Sequence, residues 1–188
     1  MGAAQGGPSA RKSDADGIGQ SSRRTGERLN TRTFLEANWV LHTSEVELPI
    51  TYRGTVYPWR YDHMGHMNVM WYVSKFDEAT WHAFASLGLT PSFLREHDRG
   101  MAGVQQNTSY KRELRAGDII TIRSGILEMR EKVIRFFHEM RNEETDEISA
   151  VTLLTAVHMD LKTRKSCPFP NEILARGRQM VVAYDTGM

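Results

Sequence analysis

The chain has 188 residues, 40% of them hydrophobic, which is one domain's length with apolar material enough for a core. Lys and Arg number 24 against 23 Asp and Glu, and no basic run stands out beyond the N-terminal region, so nucleic acid is a poor partner. The one cysteine, Cys167, excludes an internal disulfide and a cysteine-based zinc cluster, and no apolar run approaches the roughly 20 residues of a membrane span or forms a signal peptide. A cytoplasmic protein without a membrane partner is the expectation.

In chain order, residues 1–44 read as a tail. Up to about Asn30 it is rich in Gly, Ser and charges, with Ile18 and Leu29 nearly its only large apolar residues, too few to offset the entropy of ordering. Asp14, Asp16 and Glu27 argue against a transit peptide, and Phe34 to Val40 is a short docking candidate. The domain is expected over 45–188. Its first stretch, Glu45 to Tyr61, alternates and is rich in β-branched and aromatic residues, so it predicts a strand or a bent pair broken at Pro49 and Pro58. "DHMGHMN" follows, from Asp62 to Asn68.

Val69, Tyr72, Val73, Phe76, Ala79, Thr80, Ala83 and Leu87 then recur at spacings of three and four, predicting an amphipathic helix capped by Asn68 and stopped at Gly88. Met70, Trp71, Trp81 and Phe84 add apolar surface around its flanks, so it should be central and wrapped on most sides. The rest reads as four strands, in "GMAGVQQNTSYKRE", "GDIITIRSGILEMRE", "KVIRFFHEMRN" and "EISAVTLLTAVHMDLKT". Short turns with no helix between them predict an antiparallel meander, and the class is α+β.

A lone helix after the first strand, the D-x-x-G-H-[MV]-N signature at its mouth and a following antiparallel sheet resemble the hotdog-fold acyl-CoA thioesterases of the 4-hydroxybenzoyl-CoA thioesterase type. The likeness runs from about Glu45 to Leu174. Within it, "YRGTVYPWRYDHMGHMNVMWYVSKFDEATW" is similar to the betainyl-CoA thioesterases linked to carnitine catabolism. The resemblance implies about five antiparallel strands wrapped around one long central helix, and a homodimer or homotetramer with its pocket between subunits. It also implies an acyl-CoA substrate, with coenzyme A arriving as part of that substrate and no cofactor or metal. Carried onto this chain, it makes Asp62, three residues before Gly65, the catalytic carboxylate, and the amide of Val69 the oxyanion donor. Many relatives have another Asp where this chain has Arg60, whose cation would keep a neighbouring Asp62 ionised.

The chemistry agrees with those positions. Thioester hydrolysis needs a carboxylate to activate water or attack the carbonyl, and a donor for the oxyanion; the first amides of a helix carry the positive end of its dipole. Gly65 permits the sharp turn and a close approach of the acyl group. Asp before Gly is equally ordinary turn chemistry, so a turn role for Asp62 stands beside the catalytic one. His63 and His66 have H-x-x-H spacing, but no helix aligns them and no metal is expected.

His66 and Asn68 are substrate-contact candidates at the mouth. Trp59, Tyr61, Trp71 and Tyr72 are either packing or, for a quaternary ammonium acyl group, an aromatic cage. Lys111, Arg112 and Arg115, or Lys162, Arg164 and Lys165, could meet the phosphates of coenzyme A, and Asn107, Thr108 and Ser109 could touch substrate. Two rivals remain: a hotdog scaffold or acyl-CoA-binding subunit with Asp62 as a turn residue, and a hotdog hydratase, against which the missing D-x-N-P-x-H pattern counts.

Overall fold

The computed structural model describes residues 47–187. The expected tail and the docking candidate Phe34 to Val40 lie outside them. β1, Ile50–Thr55, is only the middle of the stretch predicted as strand. Pro49 precedes it, and Pro58 opens a 3-10 turn, Pro58–Arg60, because a residue with fixed φ and no amide suits a first helical position but not a ladder. The long helix α1, Val69–Leu87, begins at the Asn68 cap and ends at Gly88, whose φ of +95° is the left-handed closure glycine makes easily. A short helix α2, Pro91–Glu96, was not anticipated. Thr90 caps it by accepting from the Phe93 amide, with Pro91 in its first turn.

β2, Arg99–Tyr110, β3, Ile119–Met129, β4, Val133–Asn142, and β5, Ile148–Asp160, are the four expected strands. A two-residue β6, Lys165–Ser166, pairs with β5, and a third helix α3, Asn171–Gln179, follows; neither was anticipated. All the pairings are antiparallel, in the order β1-β3-β4-β5-β2. Only β3-β4-β5 is a meander, which corrects the expectation for four strands. The edge of β3 away from β4 is taken by β1, so β2 pairs instead with the far side of β5 and the chain crosses back through residues 111–118. The arrangement is the expected α+β hotdog, a curled sheet against one long helix. No described helix is long and apolar enough to cross a membrane.

The helix is less enclosed than its pattern suggested. Tyr72, Phe76, Ala79, Phe84 and Leu87 are buried, and so is Lys75, whose ammonium lies 2.6 Å from Glu78 and over the Tyr52 ring. Val69 and Val73, expected on the buried face, are 53% and 41% exposed, and Trp81 is 45% exposed. This stripe faces the side where β2 ends the sheet, and no further strand covers it among the described residues. Apolar burial forms two clusters, one beneath the helix start (Met67, Tyr72, Phe76, Ile122, Met140) and one beneath its end (Phe84, Leu87, Ile134, Phe136, Phe169).

His138 on β4 is fully buried, its ring stacked on Phe76 of the first cluster and edge-on to Phe136 of the second. Thr80 donates its hydroxyl to the Phe76 carbonyl at 2.9 Å, so His138 Nε2, 2.8 Å from the Thr80 oxygen, is the donor there. Nδ1 then accepts from Ser124 Oγ at 2.6 Å, and Ser124 in turn lies 2.5 Å from Thr51 Oγ1. Burial pushes the imidazole pKa down from 6.5 to about 3. As pH falls from 6.5 towards 3, the unfolded chain takes up a proton that the folded ring refuses. Stability from this group is therefore complete above pH 6.5 and lost below it. Denaturant unfolding should show stability falling by up to about 1.4 kcal/mol per pH unit in that window, with a smaller slope in His138→Gln. An unchanged slope in the variant would assign the acid sensitivity to other groups.

Candidate active site

The segment between β1 and α1 folds back on itself. Tyr61 and Met67 form an isolated antiparallel bridge, the Asp62 amide donates to the His66 carbonyl at 3.2 Å, and the Gly65 amide donates to the Asp62 carbonyl at 3.1 Å. Gly65 has φ of +79°, and a Cβ there would meet nothing within 4 Å, so backbone conformation and not crowding calls for glycine. The loop after β2 holds this turn from the other side: the Met67 amide donates to the Leu114 carbonyl at 2.9 Å, and the Tyr61 hydroxyl accepts from the Ala116 amide.

Asp62 is half-buried, and both of its carboxylate oxygens are engaged. Oδ1 accepts from the Met64 amide at 2.8 Å, and Oδ2 accepts from the Asn68 side-chain amide at 3.3 Å. Asn68 also caps α1, its Oδ1 accepting from the Met70 amide at 2.9 Å and its carbonyl from the Trp71 amide at 2.9 Å. The Val69 amide, first in the helix, has no intrahelical acceptor. One asparagine thus links the carboxylate to the helix terminus whose dipole favours negative charge.

Arg60 is turned to other work. Its Nη1 donates to the Thr55 carbonyl at 2.8 Å, and its guanidinium lies 5.3 Å from the centroids of both the Tyr57 and Trp71 rings. It makes no ion pair with Asp62, whose partners are neutral donors. The cation position over Trp71 is therefore filled from within. Trp59 is exposed and stacks on Tyr57, while Tyr72 is buried edge-on against Tyr110 and donates its hydroxyl to the Arg112 carbonyl at 3.3 Å. Burial, above all, pushes the Tyr72 phenol up to about 12.

His66 is half-buried, with Nδ1 3.3 Å from the Met67 carbonyl and Nε2 3.8 Å from Glu113; His63 is exposed. No group of three or more metal-ligating side chains occurs among the described residues. A shallow depression of about 190 Å³ joins His66, Val69 and Tyr72 to Tyr110, Lys111 and Arg112, placing basic side chains beside the helix start. Arg112 pairs loosely with Glu147 at 3.6 Å, and Arg115 is exposed on the same loop. The second basic group is remote: β2 runs from Arg99 opposite Asp160 to Tyr110 opposite Ala150, so Lys162, Arg164 and Lys165 lie beyond the far end of a 12-residue strand, about 36 Å away. Lys162 is also paired with Asp98 at 2.7 Å. On β2, Asn107 is exposed, while Thr108 and Ser109 are half-buried and the Thr108 hydroxyl meets that of Thr152 at 2.8 Å.

A second cavity of about 190 Å³ lies between α1 and β2, lined by Val73, Asp77, Trp81 and three phenylalanines. The sequence reading missed it. Its signal was Asp77 at i+8 in the stripe of Val69, Val73 and Trp81, an acid among apolar residues on one helix face.

A family model described as the thioesterase-like superfamily matches residues 56–177. The betainyl-CoA thioesterase of Pseudomonas aeruginosa is 23% identical over 134 residues, 71% of this chain and 84% of that protein. Among solved structures, a hypothetical protein from Staphylococcus aureus in complex with CoA superposes with a TM-score of 0.67 at 20% identity, over 73% of this chain and 89% of its own. A 1,4-dihydroxy-2-naphthoyl-CoA thioesterase from Synechocystis gives a TM-score of 0.62 at 18% identity, over 70% and 96%.

Asn68→Ala removes the cap and should lower the unfolding free energy by about 1 kcal/mol in urea titration, with Asn68→Ser recovering most of it. Equal losses in both variants would mean that the contact to Asp62, and not the cap, carries the effect.

Proposed function

The chain belongs to the thioesterase-like superfamily, and on that premise we propose that it hydrolyses acyl-CoA thioesters at the junction of Asp62 and the α1 N-terminus. The observation that carries this reading is the double engagement of Asn68, which fixes a carboxylate beside the first amides of a 19-residue helix. A thioester carbonyl oxygen accepting from the Val69 amide would build its negative charge at the positive helix end. Asp62 then either takes a proton from the attacking water and passes it to the CoA sulfur as the carbon–sulfur bond breaks, or attacks the carbonyl carbon itself, forming a mixed anhydride as the CoA thiolate leaves; water then hydrolyses the anhydride to the free acid, regenerating Asp62 and supplying the proton to the thiolate. In this reading Lys111 and Arg112, which line the depression beside Val69, meet the phosphates of coenzyme A, with Arg115 exposed on the same loop. The acyl group is short and polar, with betainyl, the group in the name of the Pseudomonas relative, as first candidate.

The reading also pairs two chains. β2 is the sheet's terminal strand, with Val104 60% exposed, and the uncovered stripe of α1 lies beside it. Joining two such edges would cover both. Val104→Lys should shift the sedimentation mass towards that of one chain; an unchanged mass would place any contact between copies elsewhere.

Thiol release from betainyl, short straight-chain, 3-hydroxyacyl and aromatic CoA thioesters tests the chemistry. At least one should be cleaved, with Asp62→Asn slower by on the order of 10²-fold or more. Full activity in Asp62→Asn would make Asp62 a turn residue, and no cleavage at all would favour the acyl-CoA-binding reading.

A further inference from the structure

A third cavity, of about 300 Å³, lies between the end of α1 and the start of β1. Phe84, Leu87, Ile134 and Phe136 form its buried apolar wall, and the exposed His82 and Ser86 stand at its rim. No Asp, Glu, Lys or Arg is among the described residues that line it, so an ion drawn inside would lose its water without gaining a charged partner. An apolar cavity of this size with few polar groups suits a small, uncharged molecule.

Two of its lining residues, Thr51 and Ser124, are the outer links of the hydrogen-bonded run through His138. The protons of that run all point one way. The Thr80 hydroxyl gives its proton to the Phe76 carbonyl, His138 Nε2 gives one to Thr80, and Ser124 Oγ gives its own to His138 Nδ1. Ser124 has no proton left for Thr51, so across their 2.5 Å separation Thr51 is the donor. A hydroxyl has one proton and two lone pairs, and Thr51 has now spent the proton. The other group near Thr51 Oγ1, the Ile122 carbonyl at 3.3 Å, is itself an acceptor. Thr51 therefore ends the run with lone pairs alone, and no group among the described residues donates to them.

We propose that this cavity is a ligand site for a small uncharged molecule with an aliphatic body and one hydroxyl. The hydroxyl donates to Thr51 Oγ1, and the body lies against Phe84 and Phe136. The site is separate from the junction at Asp62: His82 comes 13 residues after Val69, roughly 20 Å along α1.

Calorimetric titration of the full chain compares 1-cyclohexylethanol with cyclohexyl methyl ketone, which has the same carbon and oxygen skeleton but can only accept. The alcohol should bind about fivefold more tightly, the effect of one neutral hydrogen bond. Thr51→Val should bring the two affinities to within about twofold of each other, and Thr51→Ser, which keeps the acceptor, should keep the preference. Ala83→Leu, which enlarges a lining side chain from α1, should weaken both compounds by about tenfold or more. Binding is read with no CoA ester present, so the outcome is separate from failure of the hydrolase reading. No binding of the alcohol to the native protein, a preference that survives in Thr51→Val, or binding unmoved by Ala83→Leu overturns the proposal.

Discussion

The region around the carboxylate depends on one side chain satisfying two groups at once. A helix start leaves amides without acceptors, and a carboxylate in a turn needs donors; Asn68 has an oxygen for the first and a nitrogen for the second. Neither Ser nor Thr, which cap as well, could donate two protons from nitrogen, and Asp would set a second negative charge against Asp62. The direction of entry into α1 and the position of the carboxylate are thus one geometric decision. The Gly65 turn and the Leu114 carbonyl hold the same decision from either side.

From that junction the helix runs along a sheet that encloses it unevenly. β1, β3 and β4 cover the face of Tyr72, Phe76 and Ala79, whereas the side beyond β2 is left open because β2 crosses to pair with β5. The crossing has a second effect. It carries Lys111 and Arg112, together with Glu113, back to the helix start, where they line one depression with Val69. Topology accounts for the gathering of charge there, since the loop is far in sequence from Asp62.

Local features were legible in the sequence because local physics decides them. Asn68 as cap, Gly88 as stop and Gly65 as turn residue follow from backbone chemistry that neighbours in sequence impose. The four strands after the helix were legible as strand-forming runs separated by short turns, for the same reason. Features set by distant partners were not. The helical period identified Val69 and Val73 as apolar, but whether they meet a sheet depends on where β2 goes, and no pattern within residues 69–87 contains that. The aromatics near the motif are close in sequence, which left both packing and a cage open; Arg60 lies over the Trp71 ring and Trp59 is exposed, arrangements that spacing alone does not contain. The aromatic space that does form draws Phe136 from 60 residues after Phe76, beyond the reach of any local reading.

The run of hydroxyls through His138 has a further consequence. Four polar side chains from β1, α1, β3 and β4 satisfy one another where the two apolar clusters meet. Apolar contacts tolerate sliding, because one methyl replaces another at little loss; this set does not. If β1 slipped by one residue, Tyr52 or Ile50 would stand where Thr51 now meets Ser124. The Ser124–His138 pair would then lose its terminal partner. The imidazole thus acts as a keyed joint, coupling the alignment of the first strand to the rotation of the helix that carries Thr80.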